Sequence, residues 1–332
     1  MIDDQGLLSA IIADPDDDSL RLVYADWLEE HGQPDRSRLI RLQIEMARLP
    51  DNTEPPTALE VEEEQLLEAC EKALPQLEGI TFGGFERGLA SFVEAATPAA
   101  FRRHADIIAA VGLVHSVRFE KPDDFAVLAE VPAFARITVL TVALDRPGFR
   151  DGDGSHRFND DLQAVFASAH CPRLRSLGLD SCDLGPRGAK ALAECPRMES
   201  LTDLSLWDNY IGDEGMAALA ASPYLTALRA LAINMNNIGP PGVEALAASV
   251  SLGGLEVLTL GETWQHYIGP AAGLALGRSP YLTHLRQLQL HDEIGALGAA
   301  ALAQSPNLAG LTELDLCSAR GPDAAQALAA SP

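Results

Sequence analysis

Apolar residues in the second half of the chain follow two periods in turn. In the stretch Leu201-Thr-Asp-Leu204-Ser-Leu206, leucines alternate with polar residues, the period of a short strand buried on one face. After Ile211-Gly212 the pattern becomes GMAALAA, an Ala/Leu run of helical type that stops at Ser222-Pro223. The same signals return every 27 residues, from Leu174, Leu201, Leu228 and Leu255, and again from Leu285 and Leu311. Alternation points Leu204 and Leu206 inward and Asp203, Ser205 and Trp207 outward. Cys182, Asn209 and Asn236 share one slot, where a side-chain amide can bond turn backbone that lacks a ladder partner. Asp213-Glu214 and Pro240-Pro241 sit where acids and prolines favour helix initiation. One unit is therefore a strand, a turn and a short helix, and neither element can bury itself alone, so the units must stack. Strands stack ~4.8 Å apart whereas helices need ~10 Å, which puts the strands on a concave side.

The phrases LRSLGLDSCDLG and LTDLSLWDNYIG fit the pattern L-x-x-L-x-L-x-x-[NC]-x-[LI], LRALAINMNNIG fits it with Ile233 for the third Leu, and LEVLTLGETWQHYIG opens the same way and carries three extra residues before Ile268. The region resembles the leucine-rich repeat family, in the long, helix-containing type seen in ribonuclease inhibitor. The resemblance implies an α/β solenoid: a horseshoe with parallel strands on its concave side and helices on its convex side. Residues 171–332 are expected to form about six regular units. Residues 80–170 should hold about three degenerate ones, in FERGLASFVEA, VHSVRFEKPDDFAVLAEVP and ITVLTVALD with LQAVFASAHCP. The fourth regular unit carries extra residues, which predicts a rim loop containing Trp264, His266 and Tyr267.

Ahead of the repeats, residues 1–49 read as three short helices: GLLSAIIAD, then a helix capped by Ser19 and ending at Gly32, then one capped by Asp35 and ending at Pro50. Leu22, Val23, Trp27, Leu39, Leu42 and Met46 recur at helical spacing and are expected to form its core. Tyr24-Ala25-Asp26-Trp27-Leu28 and the Gly32-x-x-x-Arg36 turn resemble the repeat-companion domain that precedes leucine-rich repeats in many bacterial proteins. That resemblance implies kinship and no activity. Residues 50–79 read as a linker followed by an acidic amphipathic helix over 58–77, with Leu59, Leu66, Leu67, Ala69 and Leu74 on its apolar face.

Charge narrows the choice of partners. The net charge is −24, and residues 1–79 hold 20 acidic against 6 basic side chains. Phosphate recognition needs clustered Lys and Arg, so nucleic acid and anionic membranes are excluded as expected partners; a basic protein partner fits. The N-terminus has no basic stretch followed by an apolar core, and no window approaches 18 apolar residues, so neither a signal peptide nor a membrane-spanning helix is expected. The five cysteines read as reduced and buried, which points to a cytoplasmic setting.

Candidate chemistry is sparse. Asp151, Asp153, Ser155 and Asn159 offer oxygens with the spacing of a calcium loop, but the turn glycine and the final bidentate acid are missing, so a solvated insertion is expected instead. No phosphate loop, nucleophile elbow, dinucleotide fingerprint or zinc-type Cys/His spacing occurs, so neither an enzyme nor a bound cofactor is expected. The outward positions of the strands are mostly small or polar. Trp207 stands out among them, either as an anchor for a partner or as packing against Asn234 and Met235. The expected binding surface is Asp203, Ser205, Trp207, Asn234 and His291 with the Trp264, His266 and Tyr267 rim. The leading reading is a non-enzymatic protein-binding scaffold; the alternative is a regulator that inhibits an enzyme or activates a GTPase through the same surface.

Overall fold

The computed structural model describes residues 4–14, 17–50, 54–143, 154–261, 268–291 and 293–316. The chain divides into two compact units, Met1–Arg118 and Phe119–Pro332. The boundary therefore falls within residues 80–170, the span expected to hold degenerate repeats.

The first unit begins with helices α1 (Asp4–Ala13), α2 (Asp18–Glu30), α3 (Pro34–Ala47) and α4 (Thr57–Ala73). Asp17, not Ser19, caps α2, its carboxylate accepting from Ser19 N at 2.8 Å. Pro34 occupies the first turn of α3, a position where its missing N–H costs nothing, and Asp35 lies inside the helix rather than capping it. The buried face also differs from the expected one. Tyr24, Ala25, Leu28, Leu39, Ile40, Leu42 and Ile44 are buried, whereas Val23 is exposed. Trp27 packs at the edge of this core and stacks on His31 with ring centroids 3.9 Å apart. The α4 face is half-buried at Leu59, Leu66, Leu67, Ala69 and Leu74, and its fully buried residue is Cys70.

FERGLASFVEA is not a repeat unit. It lies in an antiparallel hairpin of β1 (Ile80–Glu86) and β2 (Leu89–Ala95), followed by α5 (Pro98–Val111). The turn is Arg87-Gly88 with φ of 47° and 78°, the left-handed pair that two-residue hairpins require. A Cβ on Gly88 would collide with the backbone and side chain of Ile40, so the turn seats directly on α3. Gly88 N also donates to Gln43 Oε1 at 2.6 Å, and Leu89 joins Leu7, Tyr24, Leu28 and Ile44 in one core. The helices and the hairpin thus fold as one body.

Strand β3 (Ser116–Phe119) spans the boundary in sequence. In the second unit, two short 3-10 stretches (Phe125–Glu130 and Pro132–Arg136) replace the helix expected after VHSVRF. Strand and helix then alternate: β4 (Val139–Ala143), α6 (Gly154–Ala167), β5 (Ser176–Asp180), α7 (Gly185–Ala193), β6 (Asp203–Ser205) and α8 (Gly212–Ala220). They continue as β7 (Ala230–Ala232), α9 (Pro240–Ala247), β8 (Val257–Leu260), α10 (Gly269–Arg278), β9 (Gln287–Leu290), α11 (Gly295–Ala303) and β10 (Glu313–Asp315). Each strand from β4 to β10 pairs in parallel with the next, in one register that aligns Ser176, Asp203, Ala230, Val257, Gln287 and Glu313. This is an α/β repeat fold.

Three ladders tie neighbouring units together. The inward Leu204, Leu231, Leu258 and Leu288 are at most 2% exposed and stack strand on strand. In the turn, Asn236 Oδ1 accepts from Asn209 N (3.1 Å) and Ile211 N (3.3 Å) of the preceding unit, while its Nδ2 donates to Leu206 O at 2.7 Å. Asn209 repeats the arrangement one unit earlier, accepting from Cys182 N and Leu184 N and donating to Leu179 O. Behind the helices, the Oγ atoms of Ser222, Ser249 and Ser279 donate to Ala193, Ala220 and Ala247 carbonyls at 2.5–2.6 Å. Asp213 reaches onward: its carboxylate accepts from Gly239 N and Gly242 N, satisfying the start of the next helix rather than its own.

Candidate protein-binding face

The parallel register turns three rows of side chains to the outward face of the sheet. The first two are mostly small or polar, Val257 excepted: Asp203, Ala230, Val257 and Gln287 in one, Gly178, Ser205, Ala232, Thr259 and Gln289 in the other. The third lies at the strand ends, where Asp180, Trp207, Asn234, Gly261 and His291 follow one another.

Trp207 is held by its backbone. Its N–H donates to Asp180 Oδ1 at 3.0 Å, and the same oxygen accepts from Ser205 Oγ at 2.6 Å. Its carbonyl accepts from Ser181 N and from Asn209 Nδ2. With its backbone fixed in this way, Trp207 is still 40% exposed. Tyr210, three residues on, is 37% exposed and sits at φ 55°, in the left-handed region. Nothing in the repeat pattern singled Tyr210 out; it occupies a variable slot also filled by Asp183 and Asn237. Those residues share its positive φ, as do Ser181, Asp208 and Met235 on the other side of the amide slot. The amide ladder holds this strained double turn open.

Asn234 does not belong to the accessible surface. It is 6% exposed, and its Nδ2 donates to Nδ1 of His291, two units away, at 3.0 Å. Gly261 makes that contact possible, because a Cβ there would stand 2.6 Å from His291 N. Asp203 is exposed and accepts from Thr202 Oγ1 at 2.6 Å, Ser205 is half-buried on Asp180, and His291 is half-buried. Trp264, His266 and Tyr267 lie outside the described residues, so the rim loop does too.

The calcium reading fares differently from its expectation. Asp151 and Asp153 lie outside the described residues, but from Gly154 the segment is helix α6, not a solvated loop. Phe158, Leu162 and Val165 form its buried face. Asn159 is 4% exposed and donates to Leu184 O at 2.8 Å, which turns its amide into the fold. Among the described residues no group of three or more His, Cys, Asp or Glu could hold a metal ion.

Cysteine also serves the repeats. Cys182 takes the amide slot, its thiol near Asp180 O and Val142 O, and burial pushes its pKa far up. The Cys195 thiol is held below its ordinary value, first by a hydrogen bond from Cys171 and then, against burial, by the Arg197 and Met198 amides. Cys171, as the donor of that bond and through burial, is raised.

A family model described as Leucine Rich repeat matches residues 170–193, 197–220 and 224–247. These stretches are leucine-rich repeats. They contain β5 to β7 with α7 to α9, and the leucine-rich repeats matched here carry Asp180, Ser205 and Trp207 together. No curated protein matches the chain. Among the described residues no helix is long and apolar enough to cross a membrane.

Proposed function

We propose that this protein is a non-enzymatic scaffold that binds a protein through the outward face of its repeat sheet, with Trp207 as the central anchor. One observation carries the reading: an indole fixed by its backbone, exposed, and surrounded by rows of small side chains that leave room for a partner. Tryptophan in such a setting is the residue type that dominates interface energetics. Leucine-rich repeats commonly serve as protein-interaction scaffolds, which agrees. Asp180, Asp203 and Asp208 around the indole favour a basic partner segment, and the −24 net charge would steer it.

The same reading takes the second unit as a ribonuclease-inhibitor-like horseshoe, because its strand-and-helix units differ in stacking distance on the two sides. It takes residues 1–49 as a repeat-companion module of bacterial type. Four buried free thiols, Cys70, Cys171, Cys182 and Cys195, support a reducing, cytoplasmic setting. The test is a binding measurement on an identified partner with Trp207→Ala and Ala232→Arg. Loss with both variants supports the face; unchanged affinity with both removes it, and a partner that is an enzyme or GTPase with altered turnover would make the scaffold a regulator.

A further inference from the structure

The first unit contains a feature that the sheet-face reading does not use. Between α1, α3, α4, the hairpin and α5 lies an open-mouthed cavity of about 120 Å³, lined by Asp4, Gln33, Arg36, Cys70, Phe85 and Val111 among others. That is smaller than the sites that hold drug-sized ligands and leaves room for a small molecule only. Leu74, Phe85, Val111 and the exposed Ala110 supply apolar wall. Its charged lining groups, Asp4 and Arg36, are joined by the hydroxyl of Tyr24, and Gln33 adds an amide. Tyr24 OH donates to Asp4 Oδ1 at 2.7 Å and accepts from Arg36 Nη2 at 3.3 Å. Arg36 Nη1 donates to Gln33 Oε1 at 2.7 Å. The Arg36 guanidinium also lies 5.9 Å from the centre of the Tyr24 ring, and its bonds to Gln33 and Tyr24 use only part of its five N–H donors. Burial above all raises the Tyr24 hydroxyl well beyond its ordinary value, and burial pushes the Cys70 thiol up to about 11, so both stay neutral. Asp4 and Arg36 are then the charges in the cavity, and the neutral bridge holds them side by side without letting them neutralise each other directly.

We propose that this cavity binds a free α-amino acid with an apolar side chain. An anion alone would meet Arg36 but be repelled by Asp4, and a cation alone would meet the reverse. A zwitterion carries carboxylate and ammonium on one carbon, which matches an acid and a base held within one hydroxyl's reach of each other. Its carboxylate takes the unused N–H groups of Arg36 in a charge-assisted bond, its ammonium faces Asp4, and its side chain lies on Leu74, Phe85 and Val111.

Titration calorimetry on the full chain tests this with leucine, methionine and phenylalanine beside two truncated probes, 4-methylpentanoate and 3-methylbutylamine. The expected result is saturable heat for one site with a Kd below about 1 mM for an apolar amino acid, and binding at least about tenfold weaker for both truncated probes. Asp4→Asn and Arg36→Gln should each weaken binding by about tenfold or more. Because Arg36 also braces Gln33 and Tyr24, Ala110→Phe provides a second variant: it narrows the mouth from an exposed position, leaves both charges in place and should abolish binding. No heat from any amino acid at about 10 mM, truncated probes that bind as tightly as leucine, or unchanged binding by folded Ala110→Phe would each overturn the proposal.

Discussion

Replacing Asn236 by alanine removes a side chain that two repeat units share. Asn236 is fully buried, and its Oδ1 is the acceptor for Asn209 N and Ile211 N of the preceding unit. Its Nδ2 serves the carbonyls of Leu206, Ile233 and Asn234. Neither amide has a strand neighbour to turn to, because both lie in the turn beyond the ladder. An orphaned buried donor costs about 1–3 kcal/mol, so two would cost about 2–6 kcal/mol if the space stayed dry. The vacated volume is about that of one water, which can restore part of the loss, and the expected cost is about 3 kcal/mol. Urea unfolding followed by circular dichroism should show a lower midpoint with an unchanged slope, since the unfolded surface is the same. Asn209→Ala should behave alike. Cys182→Ala should cost less, because its thiol makes only long contacts, 3.4 and 3.8 Å, with carbonyls. A loss below about 1 kcal/mol for Asn236→Ala would refute the ladder as a source of stability.

Three further outcomes follow from the packing. Leu231→Ala, at 2% exposure between two strands, should cost about 2–5 kcal/mol in the same assay, whereas Leu314→Ala, at 36% exposure, should cost clearly less; equal losses would contradict the graded stack. Gly88→Val should destabilise by about 3 kcal/mol or more, since it adds a left-handed β-branched residue and a collision with Ile40. Gly32→Ala shares the positive φ but meets open space, so a thermal melt should show a smaller drop. Finally, a hydrogen bond from Arg38 above all holds Glu62 below its ordinary 4.5, so the pair adds stability above that pH and loses it as pH falls through the folded value. The gap in unfolding midpoint between wild type and Arg38→Gln should therefore narrow between pH 6 and pH 3; a gap that widens would reverse the sign.

How much the sequence revealed varied with how directly spacing determines contact. The leucines of the regular units announced β5 to β9 and the helices between them because their period leaves one inward face. Elsewhere, more than one structure could satisfy the same pattern. FERGLASFVEA alternates as well in a hairpin as in a repeat strand, and only Arg87-Gly88 marked the difference. The acids and glycines over 151–161 read as a loop, yet Phe158, Leu162 and Val165 at helical spacing were the stronger signal. In α2 the buried face centres on Tyr24 and Leu28 because the Tyr24 hydroxyl finds Asp4 and Arg36, contacts that lie far apart in the chain. The site shows the same limit. The outward rows were legible from alternation, but Asn234 is consumed by His291 only because Gly261, one unit between them, has no side chain.

The most direct test of the scaffold reading is a quantitative capture from cell extract that compares wild type, Trp207→Ala, Ala232→Arg and a helix-side control, Glu244→Arg, each confirmed folded. The account predicts one set of proteins retained by wild type and by Glu244→Arg, and depleted together by the two sheet-face variants. Retention of the same set by Trp207→Ala and Ala232→Arg, or its loss only with Glu244→Arg, would contradict it.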